Sequence, residues 1–236
     1  MNIINCGGQG TELWFEQHLG KLTASRIADA VTKRKRDPKT PLQAYLDLRM
    51  DLAVERITRK PADHYVSIWM ERGIEFEPLA RCAYELRTEC SVETVDFVLH
   101  PEITMAGCSP DGLVGEEGLL EIKCPKRNTH AEYLLGETVP DEYLPQMTWQ
   151  LACTGRKWVD FVSYNPDFPD PLDLFVCRLN RDPQKIAVME AEAIVFLKEV
   201  DDLTLRLRHG LEGLLRESLV PRAQIPAWQG ESLSDA

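Results

Sequence analysis

Asp111, Glu121 and Lys123 form the group of side chains in this sequence that is best equipped for catalysis. Two carboxylates provide the oxygen ligands that a hard cation such as Mg²⁺ prefers, and such a cation bridges readily to phosphate. A nearby ammonium group orients an attacking water and offsets negative charge in the transition state. The pattern Asp-x9-Glu-x-Lys therefore indicates metal-assisted hydrolysis of a phosphate ester.

A purely structural account explains only one of these three residues. Asp111 lies in SPDG, a turn sequence in which its side chain would cap its own turn. In LLEIKC, alternate residues share a face, so Glu121 and Lys123 lie together while Leu120, Ile122 and Cys124 face the core. Charges on one strand face are usually exposed to solvent, so Glu121-x-Lys123 alone is weak evidence. Its position, one hairpin after Asp111, is what favours a site.

Helical and strand patterns that would position these residues alternate along the chain. Apolar residues recur at helical spacing over residues 23–32, 42–58, 67–89, 129–137, 141–155 and 183–217. Strand patterns, separated by Gly and Pro turns, cover residues 91–100, 102–109, 118–124, 157–165 and 172–180. The order predicts an α/β fold with a central mixed β-sheet flanked by helices and a helical N-terminal portion.

Length and composition favour one domain without a membrane partner. With 236 residues, 44% of them hydrophobic, the chain can bury a sizeable core. We expect a single domain over residues 1–220 and a polar C-terminal tail over 221–236. No apolar run of membrane-spanning length and no secretory signal is found in the sequence, so we expect a cytoplasmic protein. Seven cysteines without a CxxC pair fit reduced thiols better than disulfides or a zinc site.

The charge of the chain is acidic overall and basic in one short run. A net charge of −11 argues against a protein that coats nucleic acid non-specifically. The exception is TKRKRDPKT, where Lys33, Arg34, Lys35 and Arg36 follow one another in a predicted loop. An isolated basic run is usually a solvated loop. It becomes a candidate DNA contact only if the rest of the chain handles phosphate.

Four ordered motifs resemble the PD-(D/E)xK nucleases, and among them the phage lambda exonuclease type, also called YqaJ-like viral recombinases. CSPDGL with GLLEIKCP matches the central motif of that family, including the residues beside the charges. LTASRIADAV and RGIEFEPLAR precede it in the family's order, and YLPQMTWQLACTG follows it. The resemblance covers roughly residues 14–166. It implies a restriction-endonuclease-like fold and phosphodiester hydrolysis.

The same resemblance implies a two-metal site. Asp111, Glu121, the backbone carbonyl of Ile122, and Glu77 would bind two Mg²⁺ ions, for which Mn²⁺ can substitute, and Lys123 would act on the attacking water. From the residues alone, Glu77 would be read as an exposed helical carboxylate. The implied activity is digestion of one strand of linear duplex DNA from its 5′ end, which leaves a 3′ overhang for homologous recombination. The implied context is a bacteriophage or prophage protein in the bacterial host cytoplasm, assembled as a homotrimeric ring beside a single-strand annealing protein.

Other residues correspond to the family's contacts with DNA. The 5′-phosphate and DNA group comprises Ser25, Ser109, His18, Gln146, Thr148, Gln150, Lys33, Arg34, Lys35 and Arg36. The two serines would equally suit helix capping or turns. His18 stands where the best-known member has arginine, and Thr148 where it has glutamine, with Gln146 and Gln150 as nearby substitutes. A histidine is only partly charged near neutral pH, so the preference for 5′-phosphate is expected to be weaker or supplied by the basic run.

Met70 aligns with the apolar residue that separates the strands at the duplex end in this family. Wedges of this kind are usually Met, Leu or Phe. An apolar Trp69–Met70 pair on a helix is more often part of the core.

Two other classes of protein fit part of the pattern. Another nuclease of the superfamily, such as an endonuclease or a RecB-like enzyme, would keep Asp111, Glu121 and Lys123 but would not require a DNA end. The branch that binds a metal cluster through cysteines is disfavoured because the cysteines here lack that spacing. A non-catalytic DNA-binding module of recombination is opposed by the intact acidic pair and lysine.

Overall fold

The computed structural model describes residues 1–8, 10–33, 40–61 and 68–218. Its strands are β1 (Asn2–Ile4), β2 (Leu22–Thr23), β3 (Val92–Glu93), β4 (Phe97–Leu99), β5 (Ala106–Cys108), β6 (Gly112–Val114), β7 (Gly118–Lys123), β8 (Trp158–Tyr164) and β9 (Leu174–Asn180). Its α-helices are α1 (Glu12–His18), α2 (Ile27–Val31), α3 (Gln43–Thr58), α4 (Ile68–Thr88), α5 (Arg127–Gly136), α6 (Leu144–Thr154) and α7 (Pro183–Ser218). The predicted tail (residues 221–236) and residues 34–36 of the basic run lie outside the described residues.

The strands form two mixed β-sheets. One sheet has the order β1-β4-β5-β2, in which β2 runs parallel to β5 and the other neighbours are antiparallel. The second has the order β3-β6-β7-β8-β9, in which β7 and β8 run parallel and the other neighbours are antiparallel. The expected α/β architecture with flanking helices is confirmed, but the strands are divided between two sheets instead of forming one.

The strand predicted over residues 91–100 is broken into β3 and β4, one in each sheet. Asp96 lies in the break, and its Oδ2 accepts hydrogen bonds from the backbone N–H groups of Cys6 at 2.6 Å and Gly8 at 3.2 Å. These bonds fasten the N-terminal segment beside β4, where β1 adds an antiparallel strand. At the break the chain passes from the five-stranded sheet, which contains β3, to the four-stranded sheet, which contains β4 and β5. It returns to the five-stranded sheet at β6.

Strand β7 is buried on both faces. Leu120 and Ile122 pack with Ala80 and Tyr84 of α4. The opposite face, which begins with Leu119, joins the main core against α6. Alternation therefore directs Glu121 and Lys123 towards α6 instead of towards solvent.

Helix α6 is fixed at both ends by local sequence. A short 3-10 helix, Asp141–Tyr143, leads into it, and proline occupies its first turn at Pro145, where no N–H is required. Gly155 ends it with φ of 73°, a left-handed conformation that glycine adopts without a Cβ penalty. None of the helices in the described ranges is long and apolar enough to cross a membrane.

Candidate active site

Asp111 lies at the start of the β6–β7 hairpin and is held there by hydrogen bonds to strand β7. Its Oδ2 accepts a hydrogen bond from the backbone N–H of Ile122 at 2.6 Å. Its own N–H donates to the carbonyl of Leu120 at 3.1 Å. The side chain therefore bonds to the opposite strand instead of capping its own turn. This bond places the carboxylate beside the residues that flank Ile122.

Glu121 is almost completely enclosed, with 1% of its surface exposed. Its Oε1 accepts a hydrogen bond from Gln146 Nε2 at 2.7 Å, and its Oε2 accepts one from Gln150 Nε2 at 2.6 Å. The two glutamines are one helical turn apart on α6, so their amides reach the same carboxylate from the same face. Gln146 and Gln150, predicted among the DNA contacts, thus hold the central acidic residue in place.

Lys123 lies beside Glu121, with Nζ 2.5 Å from Glu121 Oε1. The same ammonium lies 5.0 Å from the centre of the Tyr143 ring, which favours a cation. Burial opposes the charged form, but Glu121 and Asp111 outweigh it and raise the pKa of Lys123 above its ordinary value. The side chain is therefore held as an ammonium ion, suited to orienting a water and stabilising negative charge rather than to removing a proton.

The carboxylates of the site repel one another in a poorly solvated space. Burial, followed by the charges of Glu121 and Glu77, raises the pKa of Asp111 well above its usual range, against the opposing effect of Lys123. Burial also raises the pKa of Glu77, although Arg81 acts in the opposite direction. Such a cluster favours binding of a positive charge, because a cation relieves the repulsion.

Arg81 was not anticipated from the sequence. Its Nη2 donates to Glu77 Oε1 at 2.6 Å and to the backbone carbonyl of Asp111 at 3.0 Å. It thereby links helix α4 to the turn that carries Asp111. The signal was present in RGIEFEPLAR, where Glu77 and Arg81 stand four residues apart on one helix face.

The donors around Asp111 suit a hard divalent cation. Asp111, Glu121 and Glu77 supply carboxylate oxygens, which Mg²⁺ and Mn²⁺ prefer. Gln150 Oε1 is a buried acceptor without a hydrogen-bond partner in the described residues, so a water beside Glu121 would have a ready acceptor. As the side chains stand, no three carboxylate, histidine or cysteine groups of the described residues are close enough to hold a metal ion. The carboxylate of Glu121 is paired with the Lys123 ammonium, and that of Glu77 is paired with the Arg81 guanidinium.

Two predicted phosphate contacts, His18 and Ser109, meet at the edge of the other sheet. His18 Nε2 lies 3.2 Å from Ser109 Oγ, and Ser109 Oγ donates to the carbonyl of Asp96 at 2.5 Å. Ser25 and His18 line one cavity of about 650 Å³, together with Trp14, which was not anticipated. The structure therefore places His18 beside Ser109 and in the same cavity as Ser25.

His18 is packed between aromatic rings, with centroids 3.7 Å from Trp14 and 4.3 Å from Phe97. Burial lowers the pKa of His18 to about 4, although a hydrogen bond to the Trp14 carbonyl acts in the opposite direction. Its Nδ1 carries the proton, because it lies 2.6 Å from that carbonyl, which can only accept. The imidazole is therefore neutral near pH 7, not partly charged as expected from the sequence.

The remaining predicted residues lie elsewhere. Thr148 is buried and lines a separate cavity between α6 and α7. Lys33 forms an ion pair with Glu192 of α7 at 2.5 Å. Met70 lies within the bounds of α4, but its side chain is outside the described part of the structure.

Residues 13–157, more than half of the chain, match the family described as the YqaJ-like viral recombinase domain. The chain belongs to this family. The resemblance inferred from the sequence is thereby confirmed, and the matched YqaJ-like region contains every residue of the site around Asp111.

Solved structures agree with this assignment. An alkaline exonuclease from Laribacter hongkongensis is 40% identical, with a TM-score of 0.79, over 86% of this chain and 100% of that one. The same figures hold for that exonuclease in complex with dAMP. A phage related exonuclease from Haemophilus somnus 129PT shares the fold at 14% identity, with a TM-score of 0.63, over 79% of this chain and 96% of that one. No curated protein matches the chain.

These matches confirm the restriction-endonuclease-like exonuclease fold and the expected class of enzyme. As a YqaJ-like protein with an exonuclease relative at 40% identity, the chain is a deoxyribonuclease.

Proposed function

We propose that this YqaJ-like protein is a Mg²⁺-dependent exonuclease of the PD-(D/E)xK type. It digests one strand of linear duplex DNA from 5′ to 3′ and leaves a 3′ overhang for phage-type homologous recombination. The observation that carries the proposal is the arrangement of Asp111, Glu121 and Lys123, each fixed by hydrogen bonds or ion pairs to its neighbours. The family and the exonuclease relative support the same activity.

The residues proposed to hold two divalent ions are Asp111, Glu121, Glu77 and the carbonyl of Ile122. When bound, the ions supply positive charge that stabilises the attacking and leaving oxygens of an in-line displacement. The protein contributes the geometry: Ile122 N–H fixes Asp111, Gln146 and Gln150 fix Glu121, and Arg81 joins Glu77 to the Asp111 turn.

Lys123 is proposed to act on the reacting groups directly. Because its raised pKa keeps it protonated, the ammonium donates hydrogen bonds to the attacking water and to the phosphate oxygens. To form either of these hydrogen bonds, the ammonium must move away from Glu121 Oε1, with which it forms an ion pair.

The DNA end is proposed to bind in the cavity lined by His18 and Ser25, with Ser109 beside His18. The Ser25 hydroxyl supplies a hydrogen bond to the terminal phosphate, and the Ser109 hydroxyl does so once it turns away from the Asp96 carbonyl to which it now donates. The neutral His18 imidazole supplies no charge, so a 5′-phosphate gains less from this residue than from an arginine. Met70 is proposed to separate the two strands at the duplex end, and residues 33–36 are proposed to contact the duplex.

His18→Arg should strengthen the preference for 5′-phosphorylated ends by about tenfold, the effect of one charge-assisted hydrogen bond of about 1.4 kcal/mol. In the wild type, the ratio of initial rates on 5′-phosphate and 5′-hydroxyl duplexes should be flat from about pH 7.5 to 9, where the terminal phosphate, whose second pKa is about 6, is already a dianion. The reason is that a pKa of about 4 leaves His18 neutral throughout this range. In the variant the ratio should be higher and equally flat.

Gln17→Arg is the matched control for this test, because it adds the same charge to the preceding residue of α1. It should leave the ratio unchanged. A wild-type ratio that falls as the pH rises would contradict the prediction, since it would show that bound phosphate converts His18 to imidazolium.

The assembly is proposed to be a homotrimeric ring around DNA in the bacterial host cytoplasm, with a single-strand annealing protein as partner. A closed ring requires heterologous contacts that return to the first subunit after three steps. An acidic chain is compatible with this assembly, because basic groups need only line the channel.

The proposed activity predicts different outcomes for linear and covalently closed duplex DNA. In a time course with Mg²⁺, one strand of the linear duplex should shorten from its 5′ end, leaving the complementary strand intact, and closed circles should persist. Products are separated on denaturing gels with either end labelled, and excess chelator should stop the reaction. Linearisation of closed circles would support an endonuclease instead, and digestion from the 3′ label would reverse the proposed polarity.

A further inference from the structure

A cavity of about 510 Å³ lies beside the proposed phosphate pocket, and three of its eight lining residues are arginines. Its walls come from the end of α1, the end of α3, the β4–β5 turn and the second half of α7. Three guanidinium groups line it, from Arg56, Arg59 and Arg208, against one carboxylate, Asp201. In a chain of net charge −11, such a local excess of positive charge calls for a physical reason.

Arg56 is fixed in the wall of this cavity. Its Nε donates to the carbonyl of Gly20 at 2.8 Å, and its Nη1 donates to Asp201 Oδ1 at 2.5 Å. Gly20, with φ of 65°, lets the arginine stem pass, since a Cβ there would lie 2.4 Å from Arg56 Cγ. The remaining nitrogen, Nη2, is buried and has no hydrogen-bond partner in the described residues. An acceptor is missing at this position.

The other two arginines of the cavity have no counterion among the described residues. In the described ranges no hydrogen bond or ion pair is formed by the side chains of Arg59 and Arg208, which are exposed. Lys21 is close by, since burial and then the charges of Arg59 and Arg56 lower its pKa. By contrast, several arginines elsewhere are paired with carboxylates, namely Arg26, Arg49, Arg81, Arg87 and Arg178. Like charges gathered without partners cost stability, which is typical of a binding site.

We propose that this cavity binds a phosphate group. Guanidinium groups bind phosphate oxygens through paired N–H donors, and three of them around one space match a tetrahedral anion. A bound phosphate would supply the acceptor that Arg56 Nη2 lacks and would neutralise Arg59 and Arg208.

Two sources offer the same chemistry: a backbone phosphate of the DNA substrate and a free phosphate or mononucleotide. Leu19 lines both this cavity and the one that contains His18 and Ser25, so the two spaces adjoin. This proximity favours a DNA strand that extends past the end-binding pocket. The DNA form of the inference rests on the proposed function, whereas the free-phosphate form does not.

The test compares the double variant Arg59→Gln/Arg208→Gln with the matched control Lys60→Gln/Arg206→Gln. Both remove two positive charges from exposed residues of the same two segments, but Lys60 and Arg206 do not line the cavity. Arg56 is left intact because its bond to Gly20 supports the fold. Duplex affinity is measured against salt with a chelator present, and thermal melting is measured with and without inorganic phosphate.

If the ligand is a DNA phosphate, the cavity variant should bind duplex more weakly than the control. The slope of log affinity against log salt should then fall by about 1 to 2, which corresponds to one or two lost phosphate contacts. If the ligand is free phosphate, duplex binding should match the control, and the phosphate-induced rise in melting temperature should disappear in the cavity variant alone. Equality of the two variants in both measurements would overturn the inference. Wild-type digestion of linear duplex, assayed in parallel, reports separately on the proposed function.

Discussion

Asp111→Asn should reduce turnover by about 10²- to 10³-fold and raise the melting temperature at the same time. The loss follows because a neutral amide is a poorer ligand for a hard cation and no longer completes the charge pattern around the phosphate. The gain in stability follows from the raised pKa of Asp111, which shows that its charged form is disfavoured in the fold by burial and by Glu121 and Glu77. The Ile122 N–H can still donate to the amide oxygen of asparagine.

The measurements are initial rates on linear duplex at saturating Mg²⁺ and, separately, thermal melting at pH 7 with a chelator present, because bound Mg²⁺ would itself stabilise the wild type. Glu116→Gln is the matched control, since it makes the same chemical change at an exposed position between β6 and β7. It should leave both quantities unchanged. Activity of Asp111→Asn within a few-fold of the wild type would reject Asp111 as part of the site.

Asp160→Ala should lower the free energy of unfolding by about 2–4 kcal/mol, because it breaks a buried charged network. Asp160 lies on β8 with 2% of its surface exposed. It accepts hydrogen bonds from Arg178 at 2.7 and 2.8 Å and from the Tyr84 hydroxyl at 2.8 Å. The variant leaves that hydroxyl buried without a partner. Arg178 is half-exposed and stacks 3.5 Å above Trp158, so water compensates part of its loss.

Urea denaturation checks this prediction, with Tyr84→Phe as a graded control that removes a single hydrogen bond and should cost about 1 kcal/mol. Turnover of Asp160→Ala well below its melting temperature should remain near that of the wild type. Asp160 is opposite Leu120, not Glu121, across the β7–β8 pair, and so lies on the other face of the sheet. A change in unfolding free energy below about 1 kcal/mol would show that the network contributes little.

Asp111→Asn and Asp160→Ala distinguish a buried charge that serves function from one that stabilises the fold. Asp160 accepts three hydrogen bonds from two residues, which satisfy its carboxylate, so the fold gains from it. Burial, and then the charge of neighbouring carboxylates, raises the pKa values of Asp111 and Glu77, so the fold tolerates these carboxylates at a cost. Unfavourable charge retained at one point is typical of a functional site.

The sequence by itself determined the class of fold and the central group of the site. Helices α3, α4, α6 and α7 follow from apolar spacing, and β7, β8 and β9 follow from alternation, because these periodicities reflect local geometry. The relation of Asp111 to Glu121 and Lys123 was also predictable, since a short hairpin sets it. Four motifs in family order then indicated the YqaJ-like nucleases.

Only the tertiary structure decided how those residues are held and what surrounds them. The amides of Gln146 and Gln150 meet Glu121 from 25 and 29 residues away, and Arg81 reaches the Asp111 carbonyl across 30. The break between β3 and β4 depends on Asp96 binding Cys6, 90 residues earlier. The neutrality of His18 arises from rings and strands that enclose it. Burial and pairing depend on which distant segments meet, and no local periodicity specifies that.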